Sequence, residues 1–127
     1  MIKPGGILFD LDGVIFQGDT LIPGSKDILL KLKRAGIPYR FITNTTRMTK
    51  NNLAKMLDNM GLTIDPREIF AAPHAAAEYC KLKQYNNIFL VVPGLEMRDD
   101  FSAFQLVEHN PDAVVVGDMG ELFTFEL

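Results

Sequence analysis

Short apolar runs that alternate with helical patterns constrain the fold of this 127-residue chain more than any other feature. We predict strands over residues 6–9, 39–42, 88–92 and 113–116, where apolar and β-branched residues cluster. Helical patterns cover residues 25–35, 49–60 and 73–83, and a shorter one covers 95–104. Strands that alternate with helices at this spacing predict an α/β fold with parallel sheets and crossover helices.

Particular residues mark the expected helix ends. Ser25 is the expected N-cap of the first helix, which ends at Gly36, and Thr49 is the expected N-cap of the second. Pro73 suits the first turn of the third helix, where the amide that proline lacks would have no partner. The first strand, by contrast, is continuously apolar, which is typical of a strand buried inside a sheet.

Charge divides the chain near residues 85–87. Residues 1–84 carry 12 basic and 8 acidic side chains, whereas residues 85–127 carry 1 basic and 8 acidic ones. So abrupt a change predicts two lobes. The net charge of -3 argues against nucleic acid as a partner, because binding to a phosphate backbone needs a basic excess.

Cysteine content and hydropathy bear on location. Cys80 is the single cysteine, so an internal disulfide is excluded, as is typical of a reducing compartment. No apolar run approaches the roughly 20 residues that span a bilayer, and the start does not resemble a signal peptide. We therefore expect a cytoplasmic protein with no membrane partner. Because apolar residues crowd the last five positions with nothing after them to pack against, we also expect the front part of a longer fold.

Two aspartates follow the first predicted strand. Asp10 and Asp12 alternate along an extended chain, so both carboxylates can face one point outside the carboxyl end of the strand, where α/β sheets bind ligands. Two like charges so close favour a hard cation, and Mg²⁺ is the expected metal. Gly13 permits a tight turn that would direct backbone amides toward an anion. The alternative is a pair of solvent-exposed aspartates in an ordinary turn.

A second polar pair follows the second predicted strand. The hydroxyl of Thr43 and the amides from Asn44 onward could hold a phosphoryl oxygen. The alternative is a polar turn that leads into the helix at Thr49. A neighbouring strand that ends in Asp10 and Asp12 favours the binding interpretation.

These segments resemble a known family. Residues Ile7–Val14 resemble the first motif of the haloacid dehalogenase (HAD) superfamily of phosphohydrolases, and Phe41–Arg47 resemble the second motif of its NagD-like branch, class IIA. Gln17–Gly24 are similar to the flap and helix start of that branch, and Asp112–Asp118 with Phe123–Phe125 are similar to its cap segment. Within the branch, the pattern is most similar to phospholysine phosphohistidine inorganic pyrophosphate phosphatase-like proteins.

The resemblance implies both fold and function. It implies part of a Rossmann-like HAD core over residues 1–86, followed by the first part of an α/β cap over residues 87–127. The implied activity is Mg²⁺-dependent hydrolysis of a small phosphorylated substrate, in a protein that dimerises with itself through the cap.

The resemblance also implies a role for each matching residue. Asp10 would be the nucleophile that forms an aspartyl-phosphate. Asp12 would act as general acid and then as general base. Mg²⁺ would bind the Asp10 carboxylate and the backbone carbonyl of Asp12. Thr43 and Asn44 would hydrogen-bond the transferring phosphoryl group, with Gly13 at the substrate side of the loop.

The superfamily pattern needs further residues that this chain lacks. A lysine and one or two acidic residues follow the cap in the NagD-like branch, so we expect little or no turnover from these 127 residues alone. One alternative is a non-catalytic fragment that binds phosphate or a partner. Another is a complete capless phosphatase, in which Asp118 and Glu121 form the acidic motif and Lys81 or Lys83 supplies the lysine.

Overall fold

The computed structural model describes residues 5–124, and it divides the chain into two compact units. The first unit contains the described residues up to Thr43 together with Lys50–Phe70. The second contains Asn44–Thr49 and the described residues from Ala71 onward. The expected boundary between residues 86 and 87 lies inside the second unit, and the division into a core over 1–86 and a cap over 87–127 stays a prediction.

A three-stranded sheet organises the first unit. Its order is β1 (Ile7–Asp10), β4 (Tyr39–Thr43), β5 (Ile69–Ala71). β1 and β4 are parallel, with a register that runs from Ile7 opposite Tyr39 to Asp10 opposite Ile42. The parallel strands and the helix between them confirm the expected α/β class. β5 was not predicted, because three residues are too few to show a strand pattern.

Helices and a small hairpin complete the first unit. The connection from β1 to β4 contains an antiparallel hairpin and then a helix. Another helix and a 3₁₀ turn lead from β4 to β5. These elements are β2 (Phe16–Gln17), β3 (Thr20–Leu21), α1 (Ser25–Arg34), α2 (Lys50–Asn59) and the 3₁₀ helix Pro66–Glu68.

The predicted cap of α1 is wrong. Gly24 is the N-cap residue, in the left-handed region at φ 87°, and no side chain caps this helix. Ser25 is instead the first helical residue, and its buried Oγ has no hydrogen-bond partner in the described part of the chain. Gly24 can adopt the turn that precedes the helix without steric cost, so the chain enters α1 one residue earlier than a serine cap requires.

Only one face of the first sheet is buried, which corrects the expectation for β1. Phe9, Tyr39 and Phe41 pack together on the inner face, with ring centroids 5.6–6.4 Å apart; both pairs that include Tyr39 are T-shaped and the third is tilted. Leu8, on the other face, is 66% exposed. A continuous apolar run predicts burial on both sides, but in the described residues β1 alternates between half-buried and exposed positions.

The second unit has a sheet of its own. Its order is β7 (Gln105–Leu106), β6 (Asn87–Val91), β8 (Ala113–Val116), and all are parallel to β6. The helix α3 (Ala72–Leu82) packs on this sheet, with Pro73 in its first turn as expected. The expected helix over 95–104 is a 3₁₀ helix, Leu95–Phe101. The core that these elements enclose consists of Ala77, Cys80, Ile88 and Phe101.

Two further expectations concern membrane spans and the end of the cap segment. No described helix is long and apolar enough to cross a bilayer. Residues 123 and 124 are not helical, and Phe125, the last residue of the expected cap segment, lies outside the described residues.

The inner and outer positions of β4 provide a direct test of one-sided burial. Phe41 is 0% exposed, whereas its neighbour Ile42 is 39% exposed. We expect Phe41→Ala to lower the free energy of unfolding by about 3–5 kcal/mol, because it leaves a cavity. Ile42→Ala, the matched control, should cost about 1 kcal/mol or less. Urea denaturation measures both, and equal losses would contradict the assigned faces.

A carboxylate at the start of β8 gives the second unit a pH dependence. Asp112 Oδ2 accepts hydrogen bonds from the amides of Asn87 (2.8 Å) and Asn86 (2.9 Å), and these bonds lower the pKa of Asp112. Its stabilising contribution is therefore complete above the unfolded-state pKa near ~4 and is lost as the pH falls through the lower folded-state pKa.

We expect Asp112→Asn to make stability less dependent on pH in that acidic range. The measurement is the urea midpoint between about pH 2 and pH 6. Asp99→Asn, which removes a carboxylate from another exposed position, serves as the control. A midpoint that varies with pH as steeply in Asp112→Asn as in the wild type would contradict the assignment.

Candidate active site

The loop after β1 exposes two carboxylates on either side of a buried anchor. Leu11 is 0% exposed, whereas Asp10 and Asp12 on either side are exposed. The inward side chain of Leu11 leaves both aspartates on the outside of the loop, as the alternation of an extended chain predicts. Asp10 Oδ1 also accepts a hydrogen bond of 2.8 Å from the amide of Leu11, which orients this carboxylate.

Backbone hydrogen bonds close this loop tightly. The carbonyl of Leu11 accepts from the amide of Ile15 at 2.9 Å, and also from those of Val14 and Phe16. The amide of Gly13 donates to the carbonyl of Phe16 at 2.7 Å. The expectation that the turn at Gly13 directs backbone amides toward an anion stays a prediction, and the amide of Gly13 itself is used inside the loop. What glycine supplies is the positive φ of 76°, and its part in substrate binding stays a prediction.

The register of the first sheet brings the second motif to the same edge. Asp10 lies opposite Ile42, so Thr43 is one residue further along the adjacent parallel strand. Neighbouring strands are about 4.8 Å apart, and both chains leave the sheet here. The structure thus places the backbones of Asp10 and half-buried Thr43 at adjacent strand ends, the arrangement that the binding interpretation requires. Asn44 follows directly, is exposed, and is the first residue of the segment assigned to the second unit.

The acidic residues of this edge suit a cation of a particular kind. Within residues 5–124, no group of three or more His, Cys, Asp or Glu side chains could hold a metal ion. Mg²⁺ is commonly held by one or two carboxylates, with water and substrate phosphate as its other ligands. The Asp10 carboxylate and the backbone carbonyl of Asp12 are oxygen ligands of this kind, so the residues present fit magnesium without forming a complete protein cage.

The residues of the capless alternative all belong to the second unit. Asp118 follows β8, a strand of the second sheet, whereas Asp10 and Thr43 end strands of the first. Lys81 forms an ion pair of 2.7 Å with Glu78 on the surface of α3. The ammonium of Lys83 lies 5.5 Å from the centre of the Tyr79 ring. The capless alternative stays a prediction.

Sequence reasoning missed a polar cluster in the second unit. Asp118 and Arg47 form an ion pair of 2.9 Å, and the amide of Asp118 donates to Thr46 Oγ1. The partners are about 70 positions apart, so only the spacing of Asp118 and Gly120, typical of a side-chain-stabilised turn, offered a local signal.

Comparison with known proteins identifies the family. A family profile described as haloacid dehalogenase-like hydrolase matches residues 7–106, most of the chain. The chain belongs to the haloacid dehalogenase-like hydrolases. The HAD resemblance of the two motifs is thereby confirmed.

Relatives within this family support the narrower assignment. The chain is 33% identical over 121 residues to haloacid dehalogenase-like hydrolase domain-containing protein 2 of Rattus norvegicus. It is 31% identical over 125 residues to phospholysine phosphohistidine inorganic pyrophosphate phosphatase of Homo sapiens. Each alignment covers 95% of this chain and 45% of the relative, so this HAD chain spans less than half the length of these curated relatives.

A solved structure shows the same fold. NagD from E. coli K-12 superposes with a TM-score of 0.86 at 21% identity, over 98% of this chain and 50% of that one. At this identity the likeness concerns the fold alone. It confirms the expected NagD-like α/β architecture.

The turn at Gly13 generates a test of the loop geometry. A Cβ at Gly13 would meet nothing within 4 Å, yet the φ of 76° is unfavourable for any L side chain. We expect Gly13→Ala to lower the free energy of unfolding by about 1 kcal/mol, whereas Gly13→Asn should restore part of the loss, since asparagine tolerates this region.

Gly5→Ala is the matched control, because a Cβ there also meets nothing within 4 Å and the backbone φ lies outside the left-handed region. It should be close to neutral in the same urea titration. Equal stability of the Gly13→Ala and Gly5→Ala variants would show that the turn does not require a positive φ.

Proposed function

We propose that this chain forms the nucleophile-bearing part of a Mg²⁺-dependent phosphatase that acts through an aspartyl-phosphate on a small phosphorylated substrate. The observation that carries the proposal is the register that pairs Asp10 with Ile42 and so puts Asp10 and Thr43 at one edge of a parallel sheet. Ligands bind at this edge of open α/β sheets. Membership of the HAD-like hydrolases and the name of the human relative support the phosphatase activity.

The proposed reaction uses the two exposed aspartates in sequence. An Asp10 carboxylate oxygen attacks phosphorus, an O–P bond forms, and the bond from phosphorus to the leaving oxygen breaks. Asp12 gives its proton to that leaving oxygen. Asp12 then takes a proton from water as the water oxygen attacks the same phosphorus, which breaks the bond to Asp10 and releases inorganic phosphate.

The other residues bind and orient. The Asp10 carboxylate and the backbone carbonyl of Asp12 would hold Mg²⁺, which when bound neutralises charge on the phosphoryl group. The Thr43 hydroxyl, at the end of β4, would donate to a phosphoryl oxygen, with Asn44 beside it. Gly13 would keep the loop closed around Leu11, so that both carboxylates remain outward.

The proposal extends to the rest of the enzyme, its domains, its location and its partners. Because the HAD chain spans 45% of its relatives, the remaining catalytic lysine and acidic ligands would come from residues outside these 127. We propose a cytoplasmic enzyme with a core over residues 1–86, a cap that begins at residue 87, and a homodimer formed through that cap. Neither nucleic acid nor membrane is a proposed partner.

One observation favours the non-catalytic alternative for these residues alone. The outer face of the first sheet exposes apolar side chains at Leu8 (66%), Phe70 (48%) and Ile42 (39%). An apolar patch of this kind is typical of a surface that binds protein. Gel filtration of the 127-residue chain, together with a phosphatase assay, discriminates a binding fragment from an enzyme.

Hydrolysis of p-nitrophenyl phosphate, with and without Mg²⁺, tests the proposed nucleophile. We expect Asp10→Asn to lower Mg²⁺-dependent turnover of the full-length protein by about a thousandfold or more, because the amide cannot form the phosphoenzyme. Asp19→Asn removes the same charge from the nearby hairpin turn and should leave turnover within about twofold.

Two further outcomes bear on the alternatives. Mg²⁺-dependent turnover that survives in Asp10→Asn removes the nucleophile assignment. The isolated 127 residues should show little or no turnover, and efficient hydrolysis by them would instead support the capless form.

A further inference from the structure

The segment Asn44–Thr49 connects two elements of the first unit, yet it belongs to the second. β4 ends at Thr43 and α2 begins at Lys50, and both are parts of the first unit. The residues between them are grouped instead with the strands and helices from Ala71 onward. The contacts that this segment makes with residues 117–120 explain the assignment.

Asp118 is the centre of these contacts. Its amide donates to Thr46 Oγ1 at 2.7 Å. One carboxylate oxygen, Oδ2, lies 2.9 Å from Nε of Arg47. The other, Oδ1, accepts from the amide of Gly120 at 2.9 Å. A single residue thus binds two neighbouring side chains of the 44–49 segment while it also stabilises its own turn.

Two glycines allow this close approach. A Cβ at Gly117 would lie 3.4 Å from the carbonyl oxygen of Thr46 and 3.3 Å from Cγ1 of Val92, which is tighter than ordinary packing. A Cβ at Gly120 would overlap the guanidinium of Arg47, and the φ of Gly120 is 53°. The turn after β8 therefore suits this contact in shape as well as in charge.

We propose that Asp118, through Thr46 and Arg47, is a positioning residue that sets the conformation of the segment Asn44–Thr49, and hence of Asn44 at the phosphate side of the site. We call Thr46, Arg47, Asp118 and Gly120 the clasp. The inference has a conformational half, which concerns the segment Asn44–Thr49, and a functional half, which concerns phosphate binding at Asn44. The functional half rests on the proposed function, because it takes Asn44 as a phosphate-binding residue.

The exposure of the ion pair indicates whether the clasp affects the global stability of the chain or only the conformation of the 44–49 segment. The side chains of Arg47 and Asp118 are 55% and 58% exposed, and ion pairs so exposed contribute little to global stability. The clasp nonetheless restrains a six-residue connection that would otherwise be an ordinary surface loop. Its loss should therefore appear as local opening of this segment rather than as unfolding of the chain.

Amide hydrogen exchange of the 127-residue chain, followed by NMR, tests the clasp directly. In Asp118→Ala we expect exchange across Asn44–Thr49 to become about five- to tenfold faster, because a charged partner and a turn are both removed. Asp118→Asn keeps an oxygen for the Gly120 amide and should lie between Asp118→Ala and the wild type.

A variant at Thr46 tests the clasp with Asp118 in place, so the test does not depend on whether Asp118→Ala folds. Thr46→Val is nearly isosteric and removes only the acceptor of the Asp118 amide, so that amide should exchange faster, whereas Thr46→Ser should retain the wild-type rate. Asp112→Ala is the matched control, since it removes a hydrogen-bonded carboxylate from the opposite end of β8. It should accelerate exchange at Asn86 and Asn87 and leave the 44–49 segment unchanged.

Titration with inorganic phosphate in the presence of Mg²⁺ tests the functional half. We expect phosphate to shift the amide resonances around Asn44 in the wild type, with an affinity that falls about three- to tenfold in Asp118→Ala and is unchanged in Asp112→Ala. Unchanged exchange across Asn44–Thr49 in the Asp118 variants overturns the clasp. Faster exchange with no phosphate response in the wild type leaves the clasp standing and counts against the proposed function.

Discussion

Parallel pairing of β1 with β4 is the constraint on which the candidate site depends. In parallel strands the carboxyl ends meet at one edge, and the register that pairs Asp10 with Ile42 decides which residues meet there. A shift of β1 by one residue would turn Phe9 outward and Asp10 inward, and would bury a charge against the Tyr39 and Phe41 rings. The aromatic packing on the inner face and the acidic edge are thus consequences of one register.

Hydrogen bonding within the loops limits what the backbone can offer to a ligand. The amide of Gly13 and those of Val14, Ile15 and Phe16 all find acceptors inside the turn after β1. Side chains, rather than these four amides, are therefore the groups that this turn presents. This explains why two aspartates and one threonine dominate the proposed chemistry, and why glycine matters here for its conformation.

The two units use polar residues differently. In the first, Asp10 and Asp12 are exposed on either side of a buried leucine. In the second, Asp112 and Asp118 stand at the two ends of β8, and each binds backbone amides. Asp10 also accepts from the amide of Leu11, so what distinguishes the first pair is its position at the carboxyl end of a parallel strand.

Local pattern was enough to predict the helices α1, α2 and α3, because each shows helical periodicity over several turns. It was also enough to predict the strands β4, β6 and β8, because each is a run of apolar and β-branched residues. It was also enough to place Asp10 and Thr43 at strand ends with Asp12 just beyond, and the resemblance of two motifs indicated the family. It could not predict β5, the glycine cap of α1 or the exposed outer face of β1, since a three-residue strand has little pattern and burial depends on what covers a face. The contact of Asp118 with Thr46 and Arg47 was likewise decided only by tertiary structure, because hydrogen bonds between residues about 70 positions apart leave no periodic trace in the chain.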